Sequence, residues 1–159
     1  MDERVKVDEG DFSARGLRVG VVAPRFNDFI VDRLLAGAVD TLLKHGADAG
    51  DLHVVRVPGA FELPLAVKKM ASSRRYDAIV AVGCVIRGAT AHFDYVAGNV
   101  ASGLATIARE QEIPLGFGVL TVETIEQAIE RAGSKAGNKG CDAALAAIQM
   151  ASVLRQLEQ

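Results

Sequence analysis

The chain is short of aromatic residues and of cysteine. It has no tryptophan, two tyrosines and six phenylalanines, only 5% aromatic in all, so any clustering of rings near one place carries information. Its two cysteines, Cys84 and Cys141, lie far apart in sequence. Two thiols in a chain of this length make no disulfide framework, and no Cys/His group has zinc-site spacing. A reducing, cytoplasmic setting is the simpler expectation. Net charge is −2, which gives no general attraction to nucleic acid or to acidic membranes. No apolar run is long enough for a membrane span: the longest, residues 78–86, is about half the roughly 20 residues required. Met1-Asp2-Glu3-Arg4 is charged where a secretion signal would be apolar.

What is abundant is small and aliphatic. Half of the 159 residues are hydrophobic, largely Ala and Val, and 24% are charged. That balance sits at the apolar end for a monomer and hints at surface buried between subunits. The length suits one domain with a sizeable core. Residues 1–16 are polar and Gly-broken and read as an extended arm, which leaves 17–159 as a single domain.

Beyond the arm a strand–helix rhythm repeats. Arg18 to Ala23 reads as a buried strand, followed by a helix capped by Asn27 or Asp28 and ended by His45-Gly46. Leu52 to Val57 is a second strand, and Leu63, Val67 and Met70 line a short helix. Tyr76 to Val85 is a third strand, and Val96, Val100, Leu104 and Ile107 line the next helix. Leu115 to Leu120 is a fourth strand, and Thr124 caps a short helix. Gly133 to Gly140 reads as a Gly/Lys-rich loop. A last helix carries Leu145, Ile148, Met150, Val153, Leu154 and Leu157. The alternation predicts an α/β fold with a four-stranded parallel sheet covered on both faces. Right-handed crossovers then bring the loops at 24–27, 58–62, 86–92 and 121–123 to one edge, where open α/β sheets bind ligands.

The third of these loops holds the densest chemistry. Gly83-Cys84-Val85-Ile86-Arg87-Gly88-Ala89-Thr90 has the outline of a phosphate loop, G-x-x-x-x-G-K-[ST], with Ala89 in the lysine position. A triphosphate would lack its anchor there, so nucleotidase chemistry is excluded. The segment is either a backbone cradle for a single phosphate or a tight turn at Gly88. His92 stands at a helix start, either as a proton carrier near neutral pH or as a solvated surface group. Asp94 is two residues on and faces elsewhere on a helix, so no His–Asp relay is expected. Phe26 and Phe61 each follow a strand, where they would stack on a flat ligand or pack on the next helix. Glu62 could accept hydrogen bonds from such a ligand or favour a helix start. Cys84, in an apolar strand, is a poor nucleophile.

Five segments in order give a more specific signal. They are Arg25-Phe26-Asn27, Val57 through Pro64, Val85 through Val96, Phe117 through Thr121, and Glu126 through Gly140. From Val19 to Leu154 the chain resembles the 6,7-dimethyl-8-ribityllumazine synthase family. The resemblance implies a flavodoxin-like three-layer sandwich, and a transferase of riboflavin biosynthesis. Such an enzyme condenses 5-amino-6-(D-ribitylamino)uracil with 3,4-dihydroxy-2-butanone 4-phosphate, releasing phosphate and water, with no cofactor or metal. Carried over by position, it implies that Phe26 stacks on the uracil. Asn27, Ala60, Phe61 and Glu62 would hold the ribityl side. Cys84, Val85 and Ile86 would offer backbone groups, and Ala89 and Thr90, with Arg131, would bind phosphate. His92 would be the catalytic proton carrier. Phe117, Arg131 and Lys139 would arrive from a neighbouring subunit.

The resemblance further implies a homo-pentamer that assembles into an icosahedral shell, with the arm adding a strand to a neighbour's sheet. Riboflavin synthase is sometimes the cargo of such shells. A flavodoxin-like FMN-binding protein is the alternative; it would use the same edge but have no need of His92. A receiver domain would need acidic residues where Ala23-Pro24 and Val85-Ile86 stand. A catalytically dead scaffold would have lost Phe26, His92 or Arg131, and all three are present.

Overall fold

Four strands pair in parallel in the order β2-β1-β3-β4, formed by Val19–Pro24 (β1), Leu52–Val57 (β2), Ala78–Ile86 (β3) and Leu115–Val122 (β4). This is a computed structural model, and it describes residues 2–158; Met1 and Gln159 lie outside them. Helices Asp28–Lys44 (α1), Leu63–Ser72 (α2), His92–Gln111 (α3) and Ile125–Glu130 (α4) alternate with the strands. A two-stranded hairpin, Ala132–Ser134 (β5) with Gly137–Asn138 (β6), precedes the last helix, Lys139–Leu157 (α5).

Side-chain alternation along the strands divides the core in two. Val19, Val21 and Ala23 of β1, with Val80, Val82 and Cys84 of β3, meet α1 and α5. Val22, with Ile79, Ala81 and Val85, meets α2 and α3. The central strands are therefore apolar throughout, whereas β2 at the sheet edge buries only Val57 fully. Each buried Val, Leu or Ile contributes about 1.5–3 kcal/mol. A solvent-exposed ion pair contributes about 0–1 kcal/mol. The two aliphatic layers thus outweigh the surface pairs in holding the sandwich.

The last helix turns a different face inward from the one its large residues suggest. Ala143, Ala144, Ala147, Ile148 and Ala151 are buried, while Met150 is 45% and Leu157 65% exposed. The cause is close approach. A Cβ placed on Gly116 of β4 would collide with the backbone carbonyl of Ala143, and one on Gly118 would press on the Ala143 methyl. Glycine on the strand and alanine on the helix let the two backbones nearly touch, and larger residues would hold them apart. Met150, Leu154 and Leu157 instead line a groove beside Ile113, Pro114 and Leu115.

The Gly/Lys-rich stretch is likewise more ordered than a loop. Gly133 (φ 107°) and Gly137 (φ 75°) supply the left-handed backbone that closes the β5–β6 hairpin. Asn138 then caps α5, accepting from the Gly140 and Cys141 N–H groups at 2.8 and 3.3 Å. Its Nδ2 donates to the Arg33 carbonyl of α1 at 3.0 Å. Within residues 2–16, Gly10 and Ala14 are buried. The Ala14 N–H donates to the His45 carbonyl at 2.9 Å, and Gln156 Nε2 donates to the Glu9 carbonyl at 3.0 Å. Among the described residues no helix is long and apolar enough to cross a membrane.

Replacing Gly116 by alanine tests the close approach. Overpacking of this kind costs about 1–3 kcal/mol, and backbone-on-backbone contact places Gly116→Ala at the upper end. Gly98→Ala, on α3 with open space around it, should be neutral or stabilise by up to about 1 kcal/mol. Urea unfolding midpoints measured side by side will distinguish them; equal midpoints would contradict the packing account.

Candidate active site

The ends of β1, β2 and β3 open into a cleft of about 800 Å³. Register places Pro24 beside Val57, and the pairing continues into the loops. The Arg25 N–H donates to the Val57 carbonyl at 2.8 Å, and the Phe26 N–H to the Pro58 carbonyl at 3.1 Å. The first two loops therefore leave the sheet as one ledge, carrying Phe26 and Phe61 on the cleft wall. Both rings are largely exposed, at 72% and 57%. Of the two fates open to them from sequence, they take the cleft rather than packing on the following helix.

Asn27 does not cap α1 with its side chain. Its backbone is left-handed (φ 60°), a conformation asparagine tolerates, and its Nδ2 donates to the Cys84 carbonyl at 2.9 Å. That bond ties the first loop to β3 across the cleft floor. Glu62 Oε2 accepts the Gly59 N–H at 3.0 Å and so holds the tight turn Ala60–Glu62 beside it. Val85 and Ile86 complete the floor, with Phe93 and Val96 of α3 behind them.

The third loop follows β3 without a break. The Arg87 N–H donates to the Val122 carbonyl at 2.9 Å, and the chain then runs through Gly88, Ala89 and Thr90, all exposed, into α3. His92 is the first residue of that 20-residue helix and lines the cleft with Thr90 and Gly88. A long helix that starts here turns its positive end toward the turn, which suits an anion. Thr90 Oγ1 accepts the His92 N–H at 3.4 Å. Asp94 is engaged by Arg87, 3.2 Å away, and not by His92, as the helical spacing predicts.

Ala89 lies on the exposed turn without lining the cleft, and three other expected site residues stay away from it altogether within one chain. Phe117 pairs with Ala81 in mid-sheet and lies against Leu104 and Leu115, well short of the strand ends. Arg131 closes α4, its Nη1 donating to the Gln127 carbonyl at 3.1 Å. Lys139 starts α5, 2.7 Å from Asp142. All three are the residues assigned from sequence to a neighbouring subunit. Phe93, Val96, Pro58 and Gly59 line the cleft and were not singled out from sequence. Phe93 and Val96 were legible in principle, since they stand one and four places after His92 on the helix that it opens.

No group of three or more His, Cys, Asp or Glu suited to a metal ion occurs among the described residues. Cys84 contributes its carbonyl to the floor, while its thiol sits in the α1/α5 core, 3% exposed. Burial pushes that thiol up to about 11. The folded state therefore keeps the proton where the unfolded chain loses it, so this residue's contribution is complete below about pH 9 and falls away between about 9 and 11. At pH 8 in native buffer, a maleimide should label the half-buried Cys141 faster than Cys84. Rapid labelling of Cys84 would contradict its placement.

Comparison with known proteins agrees with the geometry. The family model for 6,7-dimethyl-8-ribityllumazine synthase matches residues 16–155. A protein of that name from Nitratidesulfovibrio vulgaris strain Miyazaki F is 56% identical over 153 residues, covering 96% of this chain and 98% of the relative. Its counterpart in strain DP4 is 57% identical with the same coverage. A match that spans the whole sheet, every cleft loop and all five helices leaves one conclusion: the chain belongs to the 6,7-dimethyl-8-ribityllumazine synthase family.

Proposed function

We propose that this chain forms 6,7-dimethyl-8-ribityllumazine in riboflavin biosynthesis. It does so by condensing 5-amino-6-(D-ribitylamino)uracil with 3,4-dihydroxy-2-butanone 4-phosphate. The observation that carries the reading is the meeting of Phe26, Phe61, Glu62 and His92 around one cleft at the strand ends, in a chain of this family. A planar pyrimidine finds two exposed rings, and a polyol finds Glu62 and Asn27. A phosphate finds the Gly88–Thr90 turn at a helix start.

The chemistry asks for placement more than for a strong nucleophile. The 5-amino group attacks the ketone and one water leaves as the imine forms. Phosphate is eliminated, the resulting enol becomes a ketone, and the ribitylamino nitrogen attacks that carbonyl and closes the second ring with loss of a second water. Holding both substrates in one cleft converts a bimolecular encounter into an internal one. His92 moves protons during carbinolamine breakdown and elimination. The phosphate serves twice, as the handle that positions the ketone and as the leaving group. Cys84, Val85 and Ile86 offer main-chain groups to the pyrimidine edge. An FMN-binding electron carrier would use the same edge but gains nothing from a histidine at Thr90's side.

The site draws its missing charge from assembly. Arg131 and Lys139, with Phe117, come to the cleft from an adjacent protomer of a cyclic pentamer. Pentamers close further into an icosahedral shell, in the cytoplasm, with riboflavin synthase as a candidate cargo. The residues ahead of Glu9, which with Ala14 is held by its own chain, extend the free edge of a neighbour's β2, an outer strand of the sheet.

Mixing the purified protein with both substrates should produce the lumazine absorbance; bound flavin without turnover would favour the electron-carrier reading. His92→Ala should lower kcat by about 100-fold, the lower end of the general acid–base range, with substrate KM values little changed. Unchanged turnover would remove His92 from the mechanism. Light scattering should detect a shell-sized particle, and a population made only of pentamers would refute the shell.

A further inference from the structure

Arg87 has no place in the roles above, yet its side chain ties Glu123, Asp94 and Phe93 together beside the turn. Its Nε donates to Glu123 Oε2 at 2.8 Å, on the loop after β4, and its Nη1 to Asp94 Oδ1 at 3.2 Å, in the first turn of α3. Its Cζ lies 4.2 Å from the centre of the Phe93 ring, one wall of the cleft. Guanidinium geometry suits this: two carboxylates meet its edge while its face covers an aromatic ring. Glu123 is fixed in turn, since its N–H donates to Gln127 Oε1 at 2.8 Å.

The chain positions decide what this does. Arg87 is the last residue before the turn and Asp94 lies just beyond it, so the Arg87–Asp94 pair closes the segment that carries Gly88, Ala89, Thr90 and His92. That segment is exposed and has few bonds of its own. The Thr90 hydroxyl takes the His92 N–H at a long 3.4 Å, and the Asp94 N–H donates to the Ala91 carbonyl at 3.1 Å. Neither fixes the turn to the sheet. Arg87 does, through its backbone to Val122 and its side chain to Glu123.

We propose that Arg87 is a positioning residue: a staple that holds the Gly88–His92 turn and the Phe93 wall in register with β4, so that Thr90 and His92 address one substrate. The inference rests on the functional reading above. It assigns Arg87 no contact with substrate, because Nε, Nη1 and one face of the guanidinium are already engaged by Glu123, Asp94 and Phe93. A free cation for phosphate would instead stand clear of Glu123 and Asp94. The pairs are exposed, and such pairs add little to global stability. Arg87→Gln should therefore fold and melt close to wild type.

Two measurements on the full-length protein test it. Amide hydrogen exchange across residues 88–93 should speed up by about tenfold or more in Arg87→Gln and by a smaller factor in Glu123→Gln, with β1 and α5 unchanged. Steady-state kinetics should show kcat falling by about tenfold in Arg87→Gln, partial loss in Glu123→Gln, and a double variant no worse than Arg87→Gln alone. Arg87→Lys should recover little, since an ammonium cannot bridge both carboxylates and lie flat on the ring. Three outcomes overturn the staple. One is unchanged exchange in Arg87→Gln. A second is kinetics in which only the KM of the phosphorylated ketone rises and Lys rescues it, which makes Arg87 a direct phosphate contact. The third is a wild-type response in Glu123→Gln by both readouts. If the wild-type protein itself makes no lumazine, the functional reading falls, while the exchange data still decide whether Arg87 orders the turn. If Arg87→Gln proves unstable, the Glu123→Gln comparison carries the test.

Discussion

Parallel strands cannot be joined by tight turns, so each must be followed by a crossing segment that returns the chain over a face of the sheet. In this protein that constraint shapes nearly everything else. Both faces of β1 and β3 must be covered, so these strands are apolar without alternation. All crossovers return in one direction, so the strand ends share an edge, and three loops from distant parts of the chain become one cleft. The Asn27–Cys84 bond shows the coupling in miniature. A side chain from the first loop satisfies a carbonyl of the third strand because the parallel register brings the two ends level.

The cost of this architecture appears on the second face. For α5 to cover β4 closely, the strand carries Gly116 and Gly118 and the helix carries a stripe of alanine. Small residues bring backbones together but leave the larger ones, Met150, Leu154 and Leu157, facing outward in a groove. Phe117, on the opposite face of β4 beside α3, is exposed as well. Apolar surface of this kind fits the proposed assembly, in which neighbouring protomers would bring the site its cations. One protomer holds the rings, the carboxylate and the histidine, but Arg131 and Lys139 lie elsewhere, held by Gln127 and Asp142.

Within the cleft, rigidity and exposure are divided by position. Cys84 and Val85 are buried and part of the sheet, whereas residues 87–92 are exposed and depend on side-chain ties. Groups that only present backbone can be built on a strand. The groups proposed to meet the phosphate and to carry protons sit on a turn, and a turn needs something to hold it. The pairing of Arg87 with Glu123 and Asp94 supplies such a hold from two neighbouring elements.

The sequence by itself determined the strand–helix order, the parallel sheet, the caps at Thr124 and Gly46, and the cluster around His92. These depend on local periodicity and on residues whose conformational preferences act within a few positions. The five ordered segments also disclosed the family before any coordinates. Tertiary structure alone decided the rest. Asn27 or Asp28 read as the cap because capping is a local habit, but Asn27 adopts a left-handed backbone and its Nδ2 donates to a carbonyl 57 residues away in sequence. The large residues of α5 read as its core face because size usually tracks burial, but of them only Ile148 is buried, and the two glycines on β4 bring alanine into close contact. Arg87 stood in the sequence only as one position of a phosphate-loop outline, since Glu123 is not within reach until the sheet brings β3 and β4 together. Each of these depends on a partner distant in the chain, and pattern along a chain carries no information about such distances.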